Sequence, residues 1–431
     1  MTKKTLASLA LLLAGAEWAM AQGPVLAPPP APVMPGDAFL YAPPPTFTWN
    51  SHHSADRLDD RLWARFDLLV WWLKPGPNPV PLLTTGPADA PLPGVLFQPG
   101  TVVAYGGDDI HFGTGNGGRL TLGAWLGRER LLGFEGSGFI LEQRATGYST
   151  FTDGRDGKPF LLRPFYNTQT GLEDVQTISF PGFLDGRFSA YANTKMWGAG
   201  ADVLLNLVET HRYRLTGLVG WQYLHLRENL NIHTSYAPLP QLDGSPNPVA
   251  FNGGVIEPPG RVDVVDQFGT DSQFHGAKFG IRAEVGWGRY ALSATTSLAL
   301  GGNFQQINIQ GNSSAVAFPG DVPVTVPGGV LAVASNSGKD SITDFSAVPQ
   351  VELALHVALS ERITGRVGYT FIYWPRVARP GEQIDRQLNE TLPPSFVEFG
   401  QPLFGLRRPN MPVQVHDFWT HGVDFSVEVR F

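Results

Sequence analysis

Apolar and polar residues alternate with a period of two in several stretches of this chain. Between residues 62 and 73, Ala64, Phe66, Leu68, Val70 and Trp72 share one face, while Trp63, Arg65, Asp67, Leu69 and Trp71 share the other. Successive side chains of a strand point to opposite sides, so this segment reads as a strand with one apolar face and one charged face. The code recurs. Leu120, Leu122, Ala124 and Leu126 alternate with Arg119 and Thr121. Trp197, Ala199, Ala201, Val203, Leu205 and Leu207 alternate with Asp202 and Asn206. Ala277, Phe279, Ile281, Ala283, Val285 and Trp287 alternate with Lys278, Arg282 and Glu284. Val351, Leu353, Leu355, Val357 and Leu359 alternate with Glu352 and His356, and Val367, Tyr369, Phe371 and Tyr373 with Arg366 and Thr370. The closing segment sets Val423, Phe425, Val427, Val429 and Phe431 against Asp424, Ser426, Glu428 and Arg430. Residues 131–143 and 214–229 carry apolar and polar groups on both faces, so their outward face stays open.

The pattern predicts an all-β fold of about ten strands (10–12) of membrane-spanning length. They fall near residues 62–73, 119–127, 131–145, 190–207, 213–229, 272–288, 289–302, 346–359, 362–375 and 418–431. Tight turns follow every second strand, at Gly127-Arg128-Glu129-Arg130, Glu209-Thr210-His211, Gly288-Arg289 and Ser360-Glu361. The other five connections are each on the order of 40 residues, far above the ordinary loop median. Connections sorted by length in this way suit an antiparallel up-and-down transmembrane barrel with short periplasmic turns and long extracellular loops. A soluble sandwich has no reason to sort them. An even strand number also returns the C-terminus to the periplasmic side.

Composition narrows the choice. Charged residues make up 16% of the chain, below the usual quarter of a soluble domain, whereas aromatics reach 11% and there are 50 glycines. No cysteine is present, which excludes disulfides and thiolate metal sites, and a net charge of −7 gives no basic footprint for nucleic acid. No run of about 18 uncharged apolar residues offers a spanning helix, so a membrane protein of this composition is a barrel. Lys3 and Lys4, the apolar run from Leu6 to Leu13, and Ala19-Met20-Ala21 stand in the order of a secretory signal peptide, assigned to residues 1–21. Residues 22–61, with Pro28-Pro29-Pro30 and Pro43-Pro44-Pro45, read as an extended Pro-rich periplasmic linker, and 62–431 as the barrel domain.

Parity then assigns the lumen: Arg65, Asp67, Arg119, Glu135, Asp202, Lys278, Arg282, Glu284, Glu352, His356, Arg366, Asp424, Glu428 and Arg430. So few strands leave little free lumen once side chains fill it. Charges of both signs in that space should pair across strands and narrow or plug it. Trp72, Trp197, Trp287, Tyr290, Tyr369, Tyr373 and Trp374 lie towards strand ends, where aromatic girdles meet the lipid interfaces.

Chemistry-bearing constellations are sparse. Gly113-Thr114-Gly115-Asn116-Gly117-Gly118 matches a dinucleotide loop in spacing, but a strand follows it instead of a helix. The ten histidines form no metal-ligand pattern, and His52-His53 falls in the linker. His356, with Glu352 on the same strand face, suits a structural hydrogen bond. Asp108, Asp109 and His111, or His275 with Asp271, are the Asp/His sets that a rim hydrolase would use. Asp153-Gly154-Arg155-Asp156-Gly157 reads as a turn, and Asn312-Ser313-Ser314 and Asn389-Glu390-Thr391 match glycosylation sequons. No cofactor and no metal site is expected.

The segment from Leu62 to Lys74 is distinctive, as are Gly94 to Thr101, Gly117 to Leu126, Leu132 to Ser137, Val367-Gly368-Tyr369-Thr370 and the run from Asp417-Phe418-Trp419 to Phe431. Together they resemble the putative beta-barrel porin family seven of bacterial outer-membrane proteins. The resemblance implies an outer-membrane barrel and brings no substrate, cofactor or catalytic residue. A closing strand ending in Phe431 also resembles the signal by which barrel assembly machinery recognises its clients. The expected partners are therefore outer-membrane lipid and that machinery, with no nucleic acid, and with small solutes as what the lumen would admit. The leading expectation is a non-enzymatic outer-membrane barrel, structural or porin-like with a narrow or plugged lumen. A surface binding or adhesion protein acting through its loops is the alternative, and a surface hydrolase the third.

Overall fold

A computed structural model describes residues 61–431 except 88, 128, 155–159 and 242–246. The segments expected to be a signal peptide and a linker with His52-His53, Arg128 of the first turn and part of 153–157 lie outside the described residues. Ten strands form the wall: β1 (Leu62–Leu73), β2 (Thr114–Leu126), β3 (Leu132–Leu141), β4 (Leu184–Glu209), β5 (Tyr213–Pro238), β6 (Arg261–Trp287), β7 (Tyr290–Val316), β8 (Gly338–Ala358), β9 (Ile363–Ala378) and β10 (Val415–Arg430). Each pairs antiparallel with its neighbours in sequence, and β1 pairs with β10 to close the ring. Segment Arg144–Thr152 continues β3 along β4, and Val324–Pro327 adds to β7. A closed ring leaves no unpaired edge, which is the condition for backbone to cross hydrocarbon.

Lipid explains the outer face. Phe66, Leu122, Phe134, Val219, Phe279, Ile281, Leu292, Leu353, Val367, Phe425 and Val427 are all exposed. The band is bounded below by Tyr213, Trp287 and Tyr290, which are exposed beside the short turns. Above, it is bounded by Trp72, Trp197, Trp221 and Tyr369 with interleaved histidines: Trp72 stacks on His421 at 5.6 Å, and Tyr223 packs on His275 at 4.7 Å. From Tyr213 to Tyr223 a tilted strand rises about 25 Å, the height of an outer-membrane apolar band. Trp374 does not belong to this girdle. It shares parity with the inward Thr370 and Ile372, is fully buried, and packs edge-on against Phe274 and Phe418.

The central strands are longer than the alternation suggests. β4 and β5 have 26 residues and β6 and β7 have 27, so they rise well above the girdle. Two of the five long connections shrink accordingly, to residues 239–260 and 317–337. The other three, residues 74–113, 142–183 and 379–414, fold back over the mouth. They contribute strands to one cap sheet, in which Gln387–Leu388 lies parallel to Leu161–Asn167, followed by Pro81–Thr85 and Val102–Gly106, with Leu172–Ser179 on the side. The cap has its own apolar core, where Leu83, Phe165, Ile178 and Leu388 meet Phe188, Ile232, Val264 and Ile307 from the raised wall.

Candidate functional site

The lumen is built in layers, and the strand register sets their order. At the periplasmic mouth Trp63 and Trp125 face each other with ring centroids 5.8 Å apart. Just inside, Arg430 pairs with Glu428 at 2.9 Å, and Arg214 reaches Glu209 at 2.8 Å and Glu284 at 3.6 Å.

Above them lies a buried ionic network. Asp67 stands opposite Arg119 on the neighbouring strand and accepts from it at 3.0 Å, from Arg366 at 3.1 Å and from Arg65 at 3.4 Å. Arg119 bridges onward to Asp424 at 3.0 Å and to Glu352 at 3.7 Å, and Arg366 also binds Glu352. Across the lumen Arg282 pairs with Glu135 at 2.7 Å, and Lys278 with Asp202 at 2.6 Å. The last pair spans two strand spacings. It is open because Gly220 lies between the two in register, where a Cβ would sit 2.3 Å from Asp202 Oδ1. His356 Nε2 lies 2.8 Å from the Ser293 hydroxyl. These bonds bring the parity-assigned residues together in an interior of paired charges, with His356 on the Ser293 hydroxyl. Small cavities lie between these groups, about 50 Å³ around Arg282, Glu284 and His356 and about 70 Å³ around Arg119, Asp202 and Lys278.

Parity alone misses the next layer. Leu69, Trp71, Met196, Leu224, Phe274, Val348, Ile372, Trp374 and Phe418 form one buried apolar cluster drawn from seven strands. The Trp71 indole donates to Asp424 at 2.7 Å and joins this layer to the ionic one beneath. On top, Arg379 is buried against Glu228 and lies 5.3 Å over the Phe418 ring. It seats the start of residues 379–414 in the barrel mouth. Gln305 and Asn303 hold the end of β9 that leads into that segment by donating to the Arg376 carbonyl at 2.8 and 2.6 Å.

The rim candidates fall in two places. Asp271 is held by His225 at 2.9 Å and Arg227 at 2.5 Å on the outer wall, and His275 belongs to the aromatic girdle instead. Asp108, Asp109 and His111 line a cavity of about 300 Å³ in the cap together with Asn78, Tyr105 and Tyr148. Asn389 is buried and donates to the Phe404 carbonyl at 2.6 Å, which closes that sequon to modification in the folded state. Gly113 leads directly into β2, with Gly115 to Gly118 in its ladder. Phe431 is exposed, and its amide donates to the Leu62 carbonyl at 2.9 Å across the β1–β10 seam.

The chain matches the family described as Putative beta barrel porin-7 over residues 63–431, the whole of the barrel and its cap. It is a member of that family. The porin-7 match and the closed strand ring agree on an outer-membrane type of barrel. Among solved structures, the chain is similar to the outer membrane protease OmpT from Escherichia coli, at 10% identity and a TM-score of 0.36, covering 88% of this chain and 100% of that one. It is also similar to an anion-selective porin from Comamonas acidovorans, at 11% identity and a TM-score of 0.18, covering 86% and 98%. Likenesses this distant carry no argument about activity. A search of curated proteins finds no match.

Proposed function

We propose that this porin-7 member is a non-enzymatic, sealed outer-membrane barrel that serves as a rigid scaffold for its extracellular cap. The observation that carries this reading is the apolar layer across the lumen, in which Trp71, Met196, Phe274, Trp374 and Phe418 are each no more than 1% exposed. A permeating ion would have to shed its hydration there with no paired group in reach, a cost of tens of kcal/mol by the Born argument. The paired charges below stiffen the wall. The ordered cap supports the further view that function lies in surface binding, because side chains on a rigid scaffold hold a recognition geometry at low entropic cost. Export by the N-terminal signal, and recognition of the closing strand and Phe431 by assembly machinery, belong to the same reading.

The test is conductance of the refolded protein in planar bilayers, with heat-modifiable gel mobility as the control for folding. The wild type is expected to be silent, and a double variant Phe274→Ala, Trp374→Ala to conduct. Steady wild-type conductance that changes on charge reversal at Arg282 and Glu284 would instead establish an open pore through the ionic layer.

A further inference from the structure

The cap cavity of about 300 Å³ has the parts of a small-molecule site. Its floor is aromatic. Tyr105, from strand Val102–Gly106, and Tyr148, from Arg144–Thr152, stack at 5.0 Å with 24° between their planes, and both rest on Phe188. Burial raises the Tyr105 phenol above its ordinary value, so it stays a neutral hydroxyl. The loop beside the rings is fixed. Gly106 and Gly107 both adopt left-handed φ, +91° and +83°, and the Gly107 amide donates to the Asn78 carbonyl at 2.9 Å. Gly76 and Ile110 exchange two backbone bonds of 2.8 and 2.7 Å on the far side. This turn sets Asp108 and Asp109 side by side on the rim, exposed and, among the described residues, without a salt-bridge partner.

One further group points to a ligand. Asn78 lines the same cavity, is 1% exposed, and its Oδ1 has no hydrogen-bond partner. Buried acceptors are almost always satisfied in native proteins, and this orphan belongs to a residue of the cavity wall. A stacked aromatic surface, two carboxylates and an unsatisfied amide oxygen, with His111 beside them, form a site rich in acceptors and apolar faces, with no Lys or Arg among the lining residues described. We infer that this cleft binds a saccharide bearing an amino group, its ring face on the tyrosines and its ammonium against Asp108 and Asp109. Aromatic faces attract cationic groups, and carboxylates accept from ammonium and hydroxyl donors, so a sugar ring with an amine suits both the tyrosines and the carboxylates. An anionic sugar is repelled.

This inference rests on the reading of the cap as a binding surface, but its test is independent of the sealed lumen. Binding of glucosamine, glucose, glucuronate and tetramethylammonium to the full refolded barrel is measured by saturation-transfer NMR and calorimetry, alongside bilayer conductance. Glucosamine is expected to bind at least tenfold more tightly than glucose, and glucuronate not at all. The isosteric double variant Asp108→Asn, Asp109→Asn should erase the preference for glucosamine while leaving the fold intact. Tyr105→Ala should abolish binding of both sugars. No sugar binding with silent bilayers would overturn the site and leave the sealed barrel standing. Tetramethylammonium binding as tightly as glucosamine, or glucuronate binding at all, would overturn the saccharide assignment. Glucosamine binding by a conducting barrel would uphold the site and overturn the sealed lumen.

Discussion

One wall carboxylate ties two segments above the barrel mouth together, and its removal has a calculable result. Asp266, on the raised part of β6, is fully buried. Its Oδ1 accepts the amides of Val330, Leu331 and Ala332 at 2.9, 3.0 and 2.8 Å, and its Oδ2 accepts from Arg163 at 2.7 Å. Residues 317–337 and 142–183 therefore converge on a single side chain. Asp266→Ala strands a buried guanidinium, at about 3–5 kcal/mol, and leaves three amides without an acceptor, at about 1–3 kcal/mol each. The loop will open before the full sum is reached, so we take about 4 kcal/mol as the local loss. At about 1.4 kcal/mol per decade, amides 330–332 should exchange some 10³-fold faster. Asp266→Asn keeps an acceptor for the amides but loses the ion pair, and should fall between. Gly329→Ala is an orthogonal probe, because its Cβ would sit 2.1 Å from Asp266 Oδ1 and displace the carboxylate from the same amides. Hydrogen–deuterium exchange on refolded protein, with mobility shift confirming an intact barrel, reads all three. A rise of less than about tenfold in Asp266→Ala would refute the idea that this carboxylate holds the loop.

Three further outcomes follow from the same geometry. Asp67→Ala removes the shared partner of Arg65, Arg119 and Arg366 and should cost about 3–5 kcal/mol, seen as a lower urea midpoint for loss of the heat-modifiable form; an unchanged midpoint would contradict the network. Glu390 in the cap is raised above the ordinary carboxylate value by burial, with Glu398 and Asp174 adding to it, so the native state holds its proton longer than the unfolded chain does. Stability from this group is therefore present at low pH and lost as pH rises through its folded value, and Glu390→Gln should flatten the pH dependence of cap proteolysis and slow cutting at neutral pH. Deleting Phe431, which is exposed and contributes a single backbone bond to the seam, should reduce insertion in cells while leaving refolding in detergent nearly unchanged; equal losses in both would assign it a purely structural role.

What the sequence reveals depends on what surrounds each strand. Below the girdle lipid lies on one side and paired charge on the other, so period-two parity separates the faces of β1, β2, β6, β8 and β10, whereas Arg214 on the ambiguous β5, which pairs with Glu209 and Glu284 inside the lumen, escapes it. The cap is different. Its sheet joins strands that lie far apart in the chain, such as Gln387–Leu388 beside Leu161–Asn167, and each is too short to carry a pattern of its own. Asn78 and Arg379 have no local signature, because their roles come from segments that meet only in the folded cap.

The ambiguous segments have a physical cause, and they locate the membrane surface. In β6 the even positions face inward throughout. Above the girdle the buried apolar residues are even: Val262, Val264 and Phe268 are buried against the cap. Below it they are odd: Phe279, Ile281 and Val285 are exposed to lipid, while the even Lys278, Arg282 and Glu284 carry charge inward. The hydrophobic phase thus inverts near Phe274 and His275 without any change in the strand itself. β5 inverts at the same level, with Val219 and Trp221 outward below and Leu224, Leu226, Leu230 and Ile232 inward above. Residues 214–229 straddle that inversion, which is why both of their faces carry apolar side chains. β7 repeats it, with Leu292 and Leu298 outward below and Ile307 and Ile309 inward above. An apolar face must be buried in lipid or in protein, and these strands leave the first for the second partway along. A phase flip within one uninterrupted strand therefore marks both the lipid boundary and the presence of a protein core above it. By that criterion the raised wall of β4 to β7 and the folded cap are one construction: neither apolar surface could stand in water without the other.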